Sequence, residues 1–366
     1  MSPMRLTVLV GPGLVADAAL LASLTAATCA ELDVAGRVVT AGSAEEMRSL
    51  LAATEQPVVA LPGPTPAARD LIGAQPSGVV WYDLTVEPPV PGAVHLAGRG
   101  LWGLAWAIRH AVHRLRAPAG RIAYGPDPDQ WGDLRLPSAP HTGPAPVAVL
   151  LHGGFWRSIW GADLMDALAA DLTRRGYASW NLEYRRPDRH GWDATTQDVE
   201  AGLVALRELA RDRPLDLDRI VVLGHSAGGQ LALRAAADLA GRTSGPRVAL
   251  AVSLAGVLDL TEGERRYLGD GAVAAALGGS PATAPRRYAE SDPMRRLPTR
   301  VPTLLVQGTE DSLDLVDANR RYAVAAAGAG DDVRYLEQPG DHFAVIDPAS
   351  AVWQDTMAAV DARLGR

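Results

Sequence analysis

Residues Gly224-His225-Ser226-Ala227-Gly228 set a serine between two glycines. The β-branched, apolar run Ile220–Leu223 precedes them, and Leu231, Ala232, Leu233, Ala235 and Ala236 follow as a helix. Strand, sharp turn and helix in that order form the context in which a turn serine is lifted out of a sheet to act as a nucleophile. The positions around it must lack side chains where strand and helix pass close together. The helix N-terminus then aims free N–H groups at a developing oxyanion. A serine hydroxyl is a poor nucleophile near neutral pH without a base beside it. His342, in Pro339-Gly340-Asp341-His342-Phe343, follows the last expected strand and is the candidate base. The base needs a carboxylate to fix its tautomer. Asp311, in Gly308-Thr309-Glu310-Asp311, stands just past the preceding strand end and is the candidate acid, with Asp314 as its rival. Asp341 is a weaker rival because it adjoins the histidine in the chain.

An oxyanion needs preorganised donors, and losing one typically lowers the rate by about 10²–10³. His152-Gly153-Gly154-Phe155-Trp156 follows the expected strand Val147–Leu151. Gly153 lets that loop come close, Gly154 and Phe155 are expected to offer one N–H, and Ala227 the other. Trp156, Trp160 and Phe343 are candidate pocket residues, whereas Trp180 falls in a strand and is expected to pack. The remaining histidines have weaker contexts. His225 sits inside the turn and is expected to point away from the site. His110 and His113 lie on an N-terminal helix, and His190 is in a polar loop.

Composition narrows the chemistry further. All 35 cationic residues are arginine, which excludes a Schiff-base lysine, a P-loop lysine and a Ser-Lys dyad. A net charge of −7 argues against a nucleic-acid partner or a basic membrane-surface protein. The single cysteine, Cys29, leaves no intrachain disulfide and no cysteine-rich zinc site. No apolar run approaches the ~18 residues of a membrane span, and no secretory signal is evident. A cytoplasmic protein without cofactor, metal or membrane partner is therefore expected.

Two blocks of alternating strands and helices position these residues. The first has strands at Leu6–Val10, Arg37–Thr40, Pro57–Leu61 and Gly78–Tyr82, with a long helix over Leu101–Leu115. Gly11-Pro12-Gly13 could open a dinucleotide site, but the second strand ends in Val39-Thr40-Ala41 without the acidic residue a ribose needs. Ala117-Pro118-Ala119-Gly120 is the boundary, and Tyr124–Pro146 carries six prolines around a short edge strand at Trp131–Pro137. In the second block, strands are expected at Val147–Leu151, Ala178–Leu182, Arg219–Leu223, Val248–Leu254, Pro302–Gln307 and Asp332–Glu337. Their near-continuous apolar character implies a mostly parallel sheet covered on both faces. The expected class is α/β: a small flavodoxin-like doubly wound domain over residues 1–117, then a larger catalytic domain over 118–366. Gly256–Arg300 is long enough for a partial cap, and its Ser291-Asp292-Pro293 reads as a turn.

The order Ser226…Asp311…His342, with His152-Gly153-Gly154-Phe155-Trp156, Glu183-Tyr184-Arg185, Gly224–Gly229 and Asp341-His342-Phe343, resembles the α/β-hydrolase superfamily. Within it, the chain from about Tyr124 to Arg366 is similar to the esterase and arylformamidase (kynurenine formamidase-like) branch. The resemblance implies a metal-independent serine hydrolase acting on a small-molecule ester or activated amide through an acyl-enzyme. It also implies that Glu183-Tyr184 supports the site from behind.

Leu6–Leu115 resembles type II 3-dehydroquinate dehydratase, on Gly11-Pro12, Pro62-Gly63 and the Gly98-Arg99-Gly100 turn. That family's lid tyrosine and arginine have no counterpart after Gly13. Leu61 stands where its asparagine would be, the histidine after that turn is missing, and Asp83 stands for the next histidine. The resemblance implies an inactive scaffold, a binding module or a self-association element giving a homo-oligomer. Two alternatives stay open: a dehydratase-type lyase in this domain, and a non-catalytic assembly or binding protein built on a hydrolase fold.

Overall fold

Alternating apolar runs and amphipathic helices produce two separate sheets. The computed structural model describes residues 4–366 except 56, 75–77, 138–142 and 242–245. Part of the proline-rich stretch therefore lies outside the described residues. The chain divides into two units, Met1–Pro118 and Ala119–Arg366.

In the first unit, β1 (Arg5–Val10), β2 (Ala35–Thr40), β3 (Val58–Leu61), β4 (Val79–Asp83) and β5 (Val94–Ala97) are all parallel, in the order β2-β1-β3-β4-β5. Alternate residues of one strand enter opposite faces. Leu6, Val8 and Val10 pack with Leu104, Ile108 and Val112 of the helix Gly103–Arg116. Leu9 goes the other way, with Met47, Leu51 and Trp81. The strand β5 was not expected from sequence: it is four residues long and half-buried throughout.

The second unit holds β6 (Gly120–Ala123), β7 (Trp131–Arg135), β8 (Ala145–Leu151), β9 (Ala178–Leu182), β10 (Leu215–His225), β11 (Val248–Leu254), β12 (Thr303–Gly308) and β13 (Val333–Gln338). Their order is β13-β12-β11-β10-β8-β9-β7-β6. The six strands from β13 to β9 are parallel, and β7 runs antiparallel to both β9 and β6. Trp131–Arg135 is therefore second from the edge, because Gly120–Ala123, placed at the domain boundary by its sequence, supplies the edge strand. Parallel strands send all their carboxyl ends to one side of a sheet, where ligands bind in such folds. His152, Ser226, Asp311 and His342 follow β8, β10, β12 and β13 on that side. Among the described residues, no helix is long and apolar enough to cross a membrane.

Segment 256–300 folds into helices Leu260–Arg265, Leu268–Leu277 and Pro285–Ser291 and a 3-10 turn, Pro293–Arg296. Ser291-Asp292-Pro293 is more than a turn. Asp292 is buried and accepts from the N–H groups of Leu260, Thr261 and Met294. The Ser291 carbonyl accepts from Gln230 of the helix after the serine turn.

Candidate active site

The serine turn is forced by close backbone approach. A Cβ on Gly224 would lie 1.9 Å from the Gly228 carbonyl oxygen, and one on Gly228 would lie 2.2 Å from that of Leu151. Ser226 adopts φ 54 and ψ −119, and the helix Ala227–Leu239 starts at the next residue. Such a non-glycine conformation costs on the order of 1–3 kcal/mol and persists only where its surroundings enforce it. Here the Ser226 N–H donates to the Leu254 carbonyl at 2.8 Å, while its own carbonyl accepts from Gly229 at 2.9 Å and Val257 at 3.2 Å. Ser226 is 2% exposed.

The His342 Nδ1 lies 2.8 Å from an Asp311 carboxylate oxygen. The rivals are engaged elsewhere: Asp341 accepts from the Phe343 and Ala344 N–H groups, and Asp314 pairs with Arg266. Asp311 also accepts from the Gln307 amide at 2.8 Å and the Ser312 N–H at 2.6 Å. Burial pushes the Asp311 carboxyl up, but His342, Gln307 and Ser312 outweigh it and hold it below the usual carboxylate range. Gln307 was not anticipated. Its only sequence signal is a polar side chain at the end of the apolar run Leu304–Val306.

His225 does not point away from these residues. Its ring centroid lies 4.7 Å from that of His342, and its Nε2 lies 3.0 Å from the His342 carbonyl oxygen.

The loop after β8 approaches the serine because Gly153 has no side chain. A Cβ there would come within 2.9 Å of the Ser226 Cβ. The His152 Nδ1 lies 2.8 Å from the Gly153 carbonyl oxygen, and its Nε2 lies 3.0 Å from a Glu183 carboxylate oxygen. In a trans peptide the C=O and the following N–H point opposite ways. The Gly154 N–H is thereby turned away from His152. Glu183 also accepts from the Tyr184 and Ala162 N–H groups and from Arg186, another partner the sequence did not reveal. Burial alone would raise Glu183, yet Arg186 and His152 bring it down to about 2.

Trp160 packs on Gly154, where a Cβ would fall 2.3 Å from its own Cβ. Trp156 turns into the core instead, donating to Gln230 at 3.2 Å and meeting Trp192 edge-on. Phe343 stands 5.4 Å from the His342 ring, centroid to centroid. Phe155, at φ 50, reaches segment 256–300, where a Cβ on Gly269 would lie 2.7 Å from its ring. Arg157 donates to the Gly269 carbonyl at 2.7 Å.

In the first unit, the Asp83 carboxylate is held by Arg69 through both oxygens and by His95 at 2.8 Å. The loops where the strand order reverses press together, since a Cβ on Gly11 would lie 2.2 Å from the Pro62 carbonyl oxygen. Among the described residues, Asp127, Asp129 and His190 could offer metal ligands within 4.8 Å of one another, though Arg186 already pairs with Asp129.

Comparison with known proteins fits this geometry. Esterase LipC of Mycobacterium tuberculosis (strain ATCC 25618 / H37Rv) is 27% identical over 325 residues, covering 83% of this chain and 73% of that protein. Among solved structures, esterase B from Lactobacillus Rhamnosis (HN001) superposes with a TM-score of 0.60 at 19% identity, over 71% of this chain and 91% of its own. A bacterial heroin esterase does so with a TM-score of 0.56 at 23% identity, over 71% and 90%. These likenesses show an α/β-hydrolase fold. Residues 133–321, more than half of the sequence, match the BD-FAE family model, and the chain belongs to the BD-FAE family.

Proposed function

We propose that the chain is a serine esterase whose nucleophile is Ser226, base His342 and acid Asp311. The observation that carries it is the His342–Asp311 contact of 2.8 Å beside a serine held in a strained turn. With Nδ1 bound to Asp311, the His342 Nε2 is the nitrogen left to take the serine proton. Ser226 Oγ attacks the substrate carbonyl, and N–H groups of Gly154, Phe155 and Ala227 hold the oxyanion. His342 passes its proton to the leaving group, and water then releases the acyl group by the same relay. Esterase relatives support an ester substrate. In one esterase B structure the inhibitor is a tributyrin phosphonate.

The narrower proposal is that activated amides of the N-aryl formamide type are also cleaved; its support is the brace behind the oxyanion loop, where Glu183 lies 3.0 Å from the His152 ring and the Tyr184 hydroxyl donates to the His152 carbonyl at 2.7 Å. The first unit is proposed as a non-catalytic scaffold for self-association, since Asp83 is fully engaged by Arg69 and His95. The test is a side-by-side assay of wild type and Ser226→Ala on short-chain aryl esters and N-formylkynurenine. Ester turnover that disappears in Ser226→Ala is the expected result. Turnover retained by that variant overturns the assignment.

A further inference from the structure

We propose that His225, the residue preceding the serine, is a positioning residue that holds the base His342 in register with Ser226 through a hydrogen bond to the His342 main-chain carbonyl. The proposal rests on the serine-esterase assignment and adds a residue to it.

The ring's tautomer is set by its partner. The His342 carbonyl can only accept, so the His225 Nε2 at 3.0 Å carries the proton. The other nitrogen, Nδ1, is buried without a partner, and a Cβ on Gly153 would sit 2.8 Å from it. Burial, with His342 adding to it, pushes the imidazole pKa down to about 3, so the ring is neutral. The charged or titratable groups acting on it come from three loops: His342, Asp311 and His152.

Two consequences follow for the base. Asp311 fixes the His342 ring at Nδ1 only, and that ring is 23% exposed on a loop. The bond from His225 fixes the loop's backbone to the turn that carries the nucleophile, so base and nucleophile move as one body. A charged ring 4.7 Å away would oppose the imidazolium His342 must become, whereas a neutral ring does not. Misplacement by about 1 Å can cost roughly 10²-fold in rate.

The experiment compares full-length His225→Gln, His225→Asn and His225→Leu with wild type and Ser226→Ala. A glutamine amide can occupy the place of Nε2; the shorter asparagine cannot. The readouts are kcat and KM on an aryl ester and the rate of fluorophosphonate labelling. In His225→Leu, kcat and labelling should fall by about tenfold to a hundredfold with KM little changed. His225→Gln should recover most of the loss, and His225→Asn should not. Wild-type rates in His225→Leu overturn the proposal, as do equal rates in the Gln and Asn variants. The Gln–Asn pair decides the matter if the Leu variant fails to fold. A wild-type protein that neither turns over nor labels overturns the esterase assignment, and this proposal with it.

Discussion

Gln307 and His342 donate to the same oxygen of Asp311, each at 2.8 Å. One carboxylate atom thus links a strand end to the base loop, 31 residues further on. Asp311→Asn keeps the shape but gives the oxygen's place to either an amide N–H or a neutral acceptor, so the His342 tautomer is no longer dictated. The expected loss in kcat is about 10⁴, as found when the acid of a comparable triad is amidated. Gln307→Leu should cost far less. Steady-state assays of the two variants check the order.

Gly153→Ala places a methyl 2.9 Å from the Ser226 Cβ and 2.8 Å from the His225 Nδ1. The loop must retreat and take its donor with it. We expect kcat to fall by about 10²–10³, the usual penalty for a lost oxyanion donor. An unchanged kcat would show that this loop does not contribute to the site.

Glu183 predicts a pH dependence of stability. Its carboxyl is held at about 2 against an ordinary 4.5. The folded state therefore gains from the ionised form at every pH above 4.5, and the gain is lost as pH falls from there toward 2. The gain is on the order of 3 kcal/mol. Denaturant midpoints measured from pH 6 down to pH 3 should fall more steeply for wild type than for Glu183→Gln. The variant should also start lower, because Arg186 loses its buried counter-charge.

Gly269→Ala drives a methyl into the Phe155 ring at a position where φ is +60. It should lower kcat/KM through Phe155, which follows Gly153 and Gly154 in the chain. Gly328→Ala is the contrasting change: nothing lies within 4 Å of its Cβ, and it closes the helix Leu313–Gly328. It should leave activity intact and stability equal or slightly raised. Thermal melts and ester assays on the two variants separate these outcomes.

The long apolar strands and the serine turn were legible because a continuous β-branched run before glycines has few other uses. The strands β5 and β6 were not, since four residues at intermediate or high exposure carry no period. Site residues that speak through type and spacing, such as Ser226, Asp311 and His342, could be named as candidates from the chain alone. Those that act through direction could not. Nothing in the sequence says that His225 turns toward His342 or that Trp156 turns inward to Gln230. Gln307, Arg186 and Asp292 are visible only once the chain is folded: Gln307 and Arg186 turn back onto the nearby carboxylates of Asp311 and Glu183, and Asp292 reaches Leu260 across segment 256–300.

The glycine gaps have a consequence for tailoring the protein. Gly153, Gly224 and Gly228 leave no volume for any substituent, and the donors they admit belong to the main chain. By contrast, Tyr267 is 68% exposed beside Arg266, and Leu313 is 82% exposed two residues after Asp311. Mutational libraries should therefore spare the glycines and diversify Tyr267 and Leu313, whose side chains have room to change. Sequence can drift at those two positions while the main-chain geometry around Ser226 stays constant.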